Sequence, residues 1–270
     1  GYTTLSTANY PEPPISPLDG EQPSNYFKTF LYTGNDAASR TITGVGFQPD
    51  WVWAKDRSTT AYGRIFDAVR GADSTPAMKI LYPNVNTADS GGLGTNGSFS
   101  AITSDGFTIT EGSSSNSAYN GSSSNYVTWN WLAANGTASN SDGSITSTVS
   151  ANTTAGFSIV SYTGSGSNAT IGHGLGVAPK MIIIKDRGDT SAWIVYHEGI
   201  GNGNLLVLSN NQAASSTTNF QSTSPTSSVF SISGGGAVGG SSSPYIAYCF
   251  ADIEGYSKIG RFTGNGDASG

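Results

Sequence analysis

Apolar and polar residues alternate in short runs along most of the chain, and the alternation has the two-residue period of a β-strand. Residues 107–109 and 230–232 both read apolar, polar, apolar. Residues 51–55 and 181–185 are nearly continuous apolar runs, as expected for strands that are buried on both faces. Turns rich in Gly, Ser and Asn separate the runs, and no long stretch has a helical period. The pattern predicts an all-β fold of antiparallel sandwich or jelly-roll modules.

A tandem repeat organises these runs. Residues 44–57 recur as residues 174–187, a shift of 130 positions without a gap. Three further blocks recur in the same order, and the shift falls from 130 to 123 and then to 119: residues 32–34 at 162–164, residues 105–110 at 228–233, and residues 126–131 at 245–250. The two copies therefore have the same strands, and the second copy has shorter loops.

The repeat divides the chain into five segments. Residues 26–135 form the first β module and residues 157–255 the second, while residues 1–25 precede them with a Pro-rich linker. The polar segment 136–156 reads as a linker or an edge strand. Residues 256–270 read as the start of a third copy that the end of the sequence interrupts, so we expect the natural polypeptide to continue. The repeat leaves open whether each copy folds alone or both share one sandwich.

Composition narrows the classes of partner. Only 11% of residues are charged, the net charge is −6 and the pI is near 4.7. Without a Lys/Arg cluster, such a chain repels nucleic-acid phosphates. Apolar runs fall short of the roughly 18 residues that a membrane helix needs. We expect neither nucleic-acid binding nor membrane insertion.

The repeat blocks resemble a family of modules in virion proteins of tailed phages, common among marine and cyanobacterial phages. The resembling residues are 31–35, 42–53, 67–71, 104–108, 127–131, 154–160 and 172–183. Residues 1–13 are similar to the closing segment of SPRY-like, concanavalin-type domains that precede these modules. The resemblance implies a virion fibre or appendage on the particle surface, a homo-oligomer (a trimer is favoured) and contacts with other virion proteins.

Residues typical of catalysis and metal binding are few. The two histidines are His173, in a Gly-His-Gly turn, and His197, which precedes Glu198, and no Gly-x-Ser-x-Gly motif accompanies them. The five glutamates fall in linker, loop or strand-end positions, which does not favour a glycosidase carboxylate pair. We expect no catalytic residues, no metal and no cofactor.

Two sets of residues are candidates for binding. The first is the repeated charged triplet, Lys55-Asp56-Arg57 and Lys185-Asp186-Arg187, which reads as an interface element or as a solvated strand end. The second is the loop aromatics Tyr62, Tyr82 and Tyr119, which read as sugar contacts or as packing residues.

Three functions remain open at this point. The first is a structural segment of a phage fibre that contributes to attachment at the host surface. The second is a lectin-like, glycan-binding tip. The third, which the sequence favours least, is a polysaccharide depolymerase that uses Glu198.

Overall fold

A computed structural model describes residue 15 and residues 20–71, 77–91, 97–112 and 118–267, and its regular structure consists of strands joined by turns. The predicted all-β fold is confirmed. Two single 3-10 turns, Pro23–Asn25 and Glu198–Ile200, are the helical elements of the described part. None of the helices there is long and apolar enough to cross a membrane.

Seven strands build the first copy, called module 1 from here on. They are β1 (Phe27–Thr33), β2 (Ser39–Thr43), β3 (Trp51–Asp56), β4 (Arg64–Asp67), β5 (Ser98–Thr103), β6 (Gly106–Thr110) and β7 (Asn125–Trp131).

Ten strands follow, and most of them build the second copy, module 2. They are β8 (Ala138–Asn140), β9 (Ser147–Asn152), β10 (Phe157–Thr163), β11 (Ala169–Gly172), β12 (Met181–Asp186), β13 (Ile194–His197), β14 (Asn204–Val207), β15 (Ser215–Ser216), β16 (Val229–Ile232) and β17 (Pro244–Phe250).

Equivalent strands of the two modules pair in equivalent registers. Phe27 lies opposite Trp131 in the β1–β7 pair, and Phe157 lies opposite Phe250 in the β10–β17 pair. Likewise β3 lies between β7 and β4, as β12 lies between β17 and β13. The position of Met181 in β12 is thus the position of Trp51 in β3. The two halves of the sequence fold as one strand scaffold used twice.

Each module is a sandwich of one large and one small sheet. In module 1 the large sheet has the order β1-β7-β3-β4 and the small sheet the order β2-β6-β5. Side chains from both sheets meet in one core, which includes Tyr32 and Val52 from the large sheet and Phe107 and Ile109 from the small one. Module 2 repeats this with the small sheet β11-β16 and a separate core. Each copy therefore has its own core.

The two large sheets also pack against each other. A third apolar cluster contains Trp51 and Ile65 of module 1 together with Ile183, Trp193 and Tyr248 of module 2. Equivalent faces of the two large sheets take part in this contact. The described sheets stack in the order small, large, large, small.

The segment that joins the modules is partly β-structure. β9 pairs with β10, and β8 pairs with β9, so both strands extend the edge of the large sheet of module 2. At the other end, residues 258–267 form no strand, and Phe262 is 94% exposed.

Candidate functional site

Most of the charges in the repeated triplets stabilise turns. Asp56 ends β3, and its Oδ1 accepts a 2.8 Å hydrogen bond from the Ser58 amide. The Lys55 ammonium turns back along the chain and donates to the Thr59 carbonyl at 3.0 Å. A carboxylate that accepts a backbone N–H two residues later forms an Asx turn, which here fixes the chain as it leaves the strand.

Module 2 repeats this arrangement with deeper burial. Asp186 Oδ1 accepts from the Gly188 amide at 2.9 Å, and Lys185 Nζ donates to the Asp189 carbonyl at 2.9 Å. Lys185 is fully buried, and desolvation lowers its pKa to about 8. Since its amine already bonds to backbone carbonyls, the buried lysine has a structural explanation.

The arginines of the two triplets have different surroundings. Arg187 reaches across to module 1, where its Nε lies 2.9 Å from Asp89 Oδ2 and its carbonyl accepts from the Asp89 amide at 2.9 Å. Arg57 is exposed and takes part in no ion pair within the described residues. The structure thus places one arginine at the contact between modules and the other in solvent.

The segments that follow β4 in module 1 and β13 in module 2 explain this difference. Ile80 bridges to Ser90 in module 1, and Leu205 pairs with Ser215 in module 2, which aligns the two segments at a shift of 125. At that shift the position of Asp89 is occupied in module 2 by Ala214. Module 2 therefore has no carboxylate equivalent to Asp89 that could pair with Arg57 of module 1.

The three candidate tyrosines lie in different environments. Tyr62 is 52% exposed and packs edge-on against the half-buried Tyr82, with 6.0 Å between ring centroids. Tyr119 is only 3% exposed, and the Arg64 guanidinium lies 4.9 Å from its ring centre. Of the two interpretations of Tyr119, this burial favours packing, because its ring belongs to the core of module 1. Tyr62 presents the only ring face of the three that is more than half open to solvent.

The contact between the modules is built around Trp51. Its ring lies 4.8 Å from that of Tyr248 and 5.7 Å from that of Phe157, both from module 2, and 4.4 Å from Trp131 of its own sheet. Aromatic pairs at such distances contribute about 0.5–1.5 kcal/mol each beyond the burial of their area. Trp193 adds a polar link, because its indole N–H donates to the Tyr82 carbonyl at 2.9 Å.

A buried charged cluster crosses this contact. Asp67 Oδ2 accepts from Arg70 Nε at 2.5 Å and from the Tyr248 hydroxyl of module 2 at 2.7 Å. Arg70 also donates through Nη2 to the Ile65 carbonyl at 3.0 Å. Both charged side chains are fully buried, and burial raises the pKa of Tyr248 well above its ordinary value. The hydrophobic pattern does not predict this cluster, although two charges within residues 67–70 of a chain so poor in charge are a usable signal.

Asp50 holds the start of β3 to the chain that leaves module 1. Its Oδ2 accepts from the Ala133 amide at 2.7 Å and from the Asn135 amide at 3.0 Å. The side chain is fully buried, and desolvation raises its pKa. This carboxylate therefore fixes the direction in which the linker begins.

Comparison with models of protein families identifies a family for this chain. Residues 22–270 match the model of a domain of unknown function, DUF7483. The chain belongs to this family. The match runs through both modules and the segment between them. No curated protein and no solved structure matches the chain.

The histidines of this family member have structural partners. His173 is fully buried, and its Nδ1 accepts from the Leu175 amide at 3.2 Å, which leaves Nε2 to donate to the Thr226 carbonyl at 3.2 Å. His197 accepts from the Gly199 amide at 3.0 Å. Glu198 is 54% exposed at its side chain and pairs with Lys180. Within the described ranges, no group of three His, Cys, Asp or Glu side chains is placed to hold a metal ion.

Proposed function

We propose that this chain is a structural segment of a bacteriophage fibre or virion appendage, located on the particle surface. The observation that carries the proposal is the paired architecture. Two copies of one scaffold share a buried aromatic interface around Trp51, and the charged cluster of Asp67, Arg70 and Tyr248 spans it. The Lys and Asp side chains that recur in both copies serve turns, as expected where stiffness is the selected property.

The resemblance of the repeat blocks to phage virion modules supports the same proposal from the sequence side. It favours a homo-oligomer, with a trimer preferred, in contact with other virion proteins. The low charge and the Ser/Gly/Asn-rich loops fit a particle surface at high copy density, since neutral polar loops stay hydrated without strong mutual repulsion.

Immuno-electron microscopy of purified particles of a phage that encodes the chain tests this proposal. Antibodies against the recombinant chain are expected to decorate an appendage, and peptides from both modules should appear in the digested particle. The matched control is the same antibody pre-absorbed with the chain. Absence of the chain from purified particles would contradict the proposal.

Exposed aromatic surface favours glycan binding as a second candidate function. Tyr62 offers an open ring beside Tyr82, and flat aromatic rings are suited to stacking against the apolar faces of sugars. Binding to a host-glycan array should be lost in Tyr62→Ala and kept in Phe262→Ala, which removes another exposed aromatic ring. Equal binding by both variants, or none by the unaltered chain, would exclude Tyr62 as the contact.

A further inference from the structure

Among the residues that the structure describes, no strand covers the outer edge of β1. The Gly34 amide donates to Ser124 and the Leu132 amide donates to Tyr26, so the even-numbered residues of this strand face β7. Bonded and non-bonded positions alternate along an antiparallel pair. The backbone groups of Thr29 and Leu31 therefore point away from the sheet.

Module 2 covers the equivalent edge with a strand. There β9 runs along β10, with Ile159 opposite Ser150 and Ser161 opposite Thr148. In module 1, residues 20–22 occupy the positions of residues 150–152 at the shift of 130. They lead into the 3-10 turn Pro23–Asn25 and do not pair with β1. In the part of the chain that the structure describes, β1 has β7 as its strand partner.

Arg40 donates to the Thr33 carbonyl at one end of this edge, but the side chains at its middle do not protect it. Leu31 is 59% exposed and Thr29 is exposed, while Lys28 is the one charged residue of the strand. Natural proteins usually block an edge strand with charge, proline, a bulge or a covering segment. β1 is seven residues long and has neither a proline nor a bulge in its pairing with β7. It is therefore well suited to accept another strand.

We propose that β1 pairs antiparallel with β1 of a second copy of this chain, about a two-fold axis at Phe30. This register places Thr29 opposite the second copy's Leu31, and their outward N–H and C=O groups form about four hydrogen bonds across the axis. Lys28 then faces Tyr32 of the second copy, so no like charges lie opposite each other. Such strand addition draws affinity from main-chain hydrogen bonds.

The apolar surface beside this edge favours a second copy over an unrelated polar strand. Register places Thr29 beside Trp129 and Leu31 beside Val127 on the large sheet, and Trp129 packs 6.0 Å from Trp53. Trp53 in turn packs against the cluster between the modules. The exposed strip of β1 is thus continuous with a face that already pairs with its own equivalent in module 2.

This inference stands apart from the virion proposal, because it concerns only how two chains meet. An isologous contact closes at two copies. It cannot by itself build the trimer that the phage resemblance implies, so a trimer would use another surface.

Analytical ultracentrifugation over a wide concentration range tests the inference on the full chain. The unaltered chain should form a dimer. Leu31→Lys should raise the dimer dissociation constant by at least about tenfold, because it places charge on the edge. Thr29→Pro should do the same, because it removes an outward N–H while leaving the ladder to β7 intact. Val177→Lys, which changes a residue that is 44% exposed and lies outside the strands, is the matched control and should dimerise normally.

Several results would overturn the inference. A chain that stays monomeric at the highest concentration, or a trimer that both edge variants leave unchanged, would do so. A monomer with slow hydrogen exchange at Thr29 and Leu31 would show that the chain covers its own edge. Near-ultraviolet circular dichroism identifies a variant that has lost its fold, and Leu31→Lys then decides alone, since a surface charge is less disruptive than a proline.

Discussion

Modules 1 and 2 share a scaffold but differ in what surrounds it. Each contains a stacked tyrosine pair, with ring centroids 4.9 Å apart for Tyr32 and Tyr126 and 5.1 Å apart for Tyr162 and Tyr245. In module 1 the Tyr32 hydroxyl donates to the Tyr119 carbonyl at 2.9 Å. In module 2 the Tyr162 hydroxyl donates to the Val238 carbonyl at 2.8 Å. This tyrosine arrangement fixes the end of each sandwich, so it tolerates little change.

The glycine beside this pair is constrained in the same way. A Cβ on Gly34 would lie 2.0 Å from the Gly121 carbonyl oxygen, and one on Gly164 would lie 2.2 Å from that of Gly240. No real Cβ contact is that short, so both copies need glycine there. Where backbone approaches backbone the two copies are alike. They differ in the lengths of their loops and in side chains on the faces of the sheets.

The largest expected effect comes from the contact between the modules, where equivalent positions carry different side chains. Trp51 is 2% exposed at the centre of that contact, whereas Met181 is only partly buried. Trp51→Ala should lower the free energy of unfolding by about 3–5 kcal/mol, and Met181→Ala by less than about 2 kcal/mol. Urea denaturation followed by tryptophan fluorescence measures both values. Equal losses would mean that Trp51 is not the centre of the interface.

A comparable loss is expected when the buried charge pair of module 1 is broken. Arg70→Met leaves Asp67 as a buried charge without its partner and should cost about 3–5 kcal/mol. The double variant Asp67→Asn with Arg70→Met removes both charges and keeps an acceptor for Tyr248, so it should cost clearly less. Module 2 supports this expectation, because its equivalent residues His197 and Ile200 are not such a pair. A double variant as unstable as the single one would contradict this account.

The sequence predicted the class of fold because strand period and turn residues are local properties. The repeat also gave the equivalence of Trp51 and Met181, since a common shift requires a common scaffold. The pairing of the two large sheets was not predictable, because it depends on faces that the alternation does not distinguish. The bond from Tyr248 to Asp67 joins residues 181 positions apart, and nothing in either local sequence indicates it.

The candidate residues show the same limit. Gly, Ser and Asn around Tyr62 and Tyr119 predicted loops for both, yet one ring is 52% exposed and the other 3%. Tyr119 is buried against Arg64 and Phe66, which come from a strand more than 50 positions away. A local pattern therefore predicts that a tyrosine lies in a loop, but it does not predict whether the ring is exposed or buried.

His173 should make the stability of the chain depend on pH, and module 1 has no histidine at the corresponding place. Module 2 has the residues Gly172-His173 between Ile171 and Gly174, where module 1 has only Thr43 between Ile42 and Gly44. Burial lowers the pKa of His173 below its ordinary value of 6.5, so the folded state favours the neutral ring. The unfolded chain then binds the proton more readily, and stability that is present above pH 6.5 is lost as the pH falls.

His173→Asn is expected to remove this contribution to the pH dependence. The measurement is the free energy of unfolding between pH 7.5 and pH 5 in the same buffer series, and the decrease should be smaller in the variant than in the unaltered chain. His197→Asn, which changes the other histidine, is the matched control. Identical slopes for the unaltered chain and His173→Asn would show that the buried ring does not titrate in this range.

The smallest expected effect concerns the two arginines. Arg187 pairs with Asp89 at side-chain exposures of 15% and 14%, so Arg187→Ala should cost about 1 kcal/mol. Arg57→Ala should change stability by less than about 0.5 kcal/mol, because that side chain is exposed. Ala214→Asp introduces a carboxylate at the position equivalent to Asp89, and a two-fold relation between the modules would bring it near Arg57. A double-mutant cycle between Ala214→Asp and Arg57→Ala would then show a coupling of a few tenths of a kcal/mol. A coupling of zero would mean that residue 214 does not lie near Arg57. The contact between Arg187 and Asp89 would then have no symmetric counterpart.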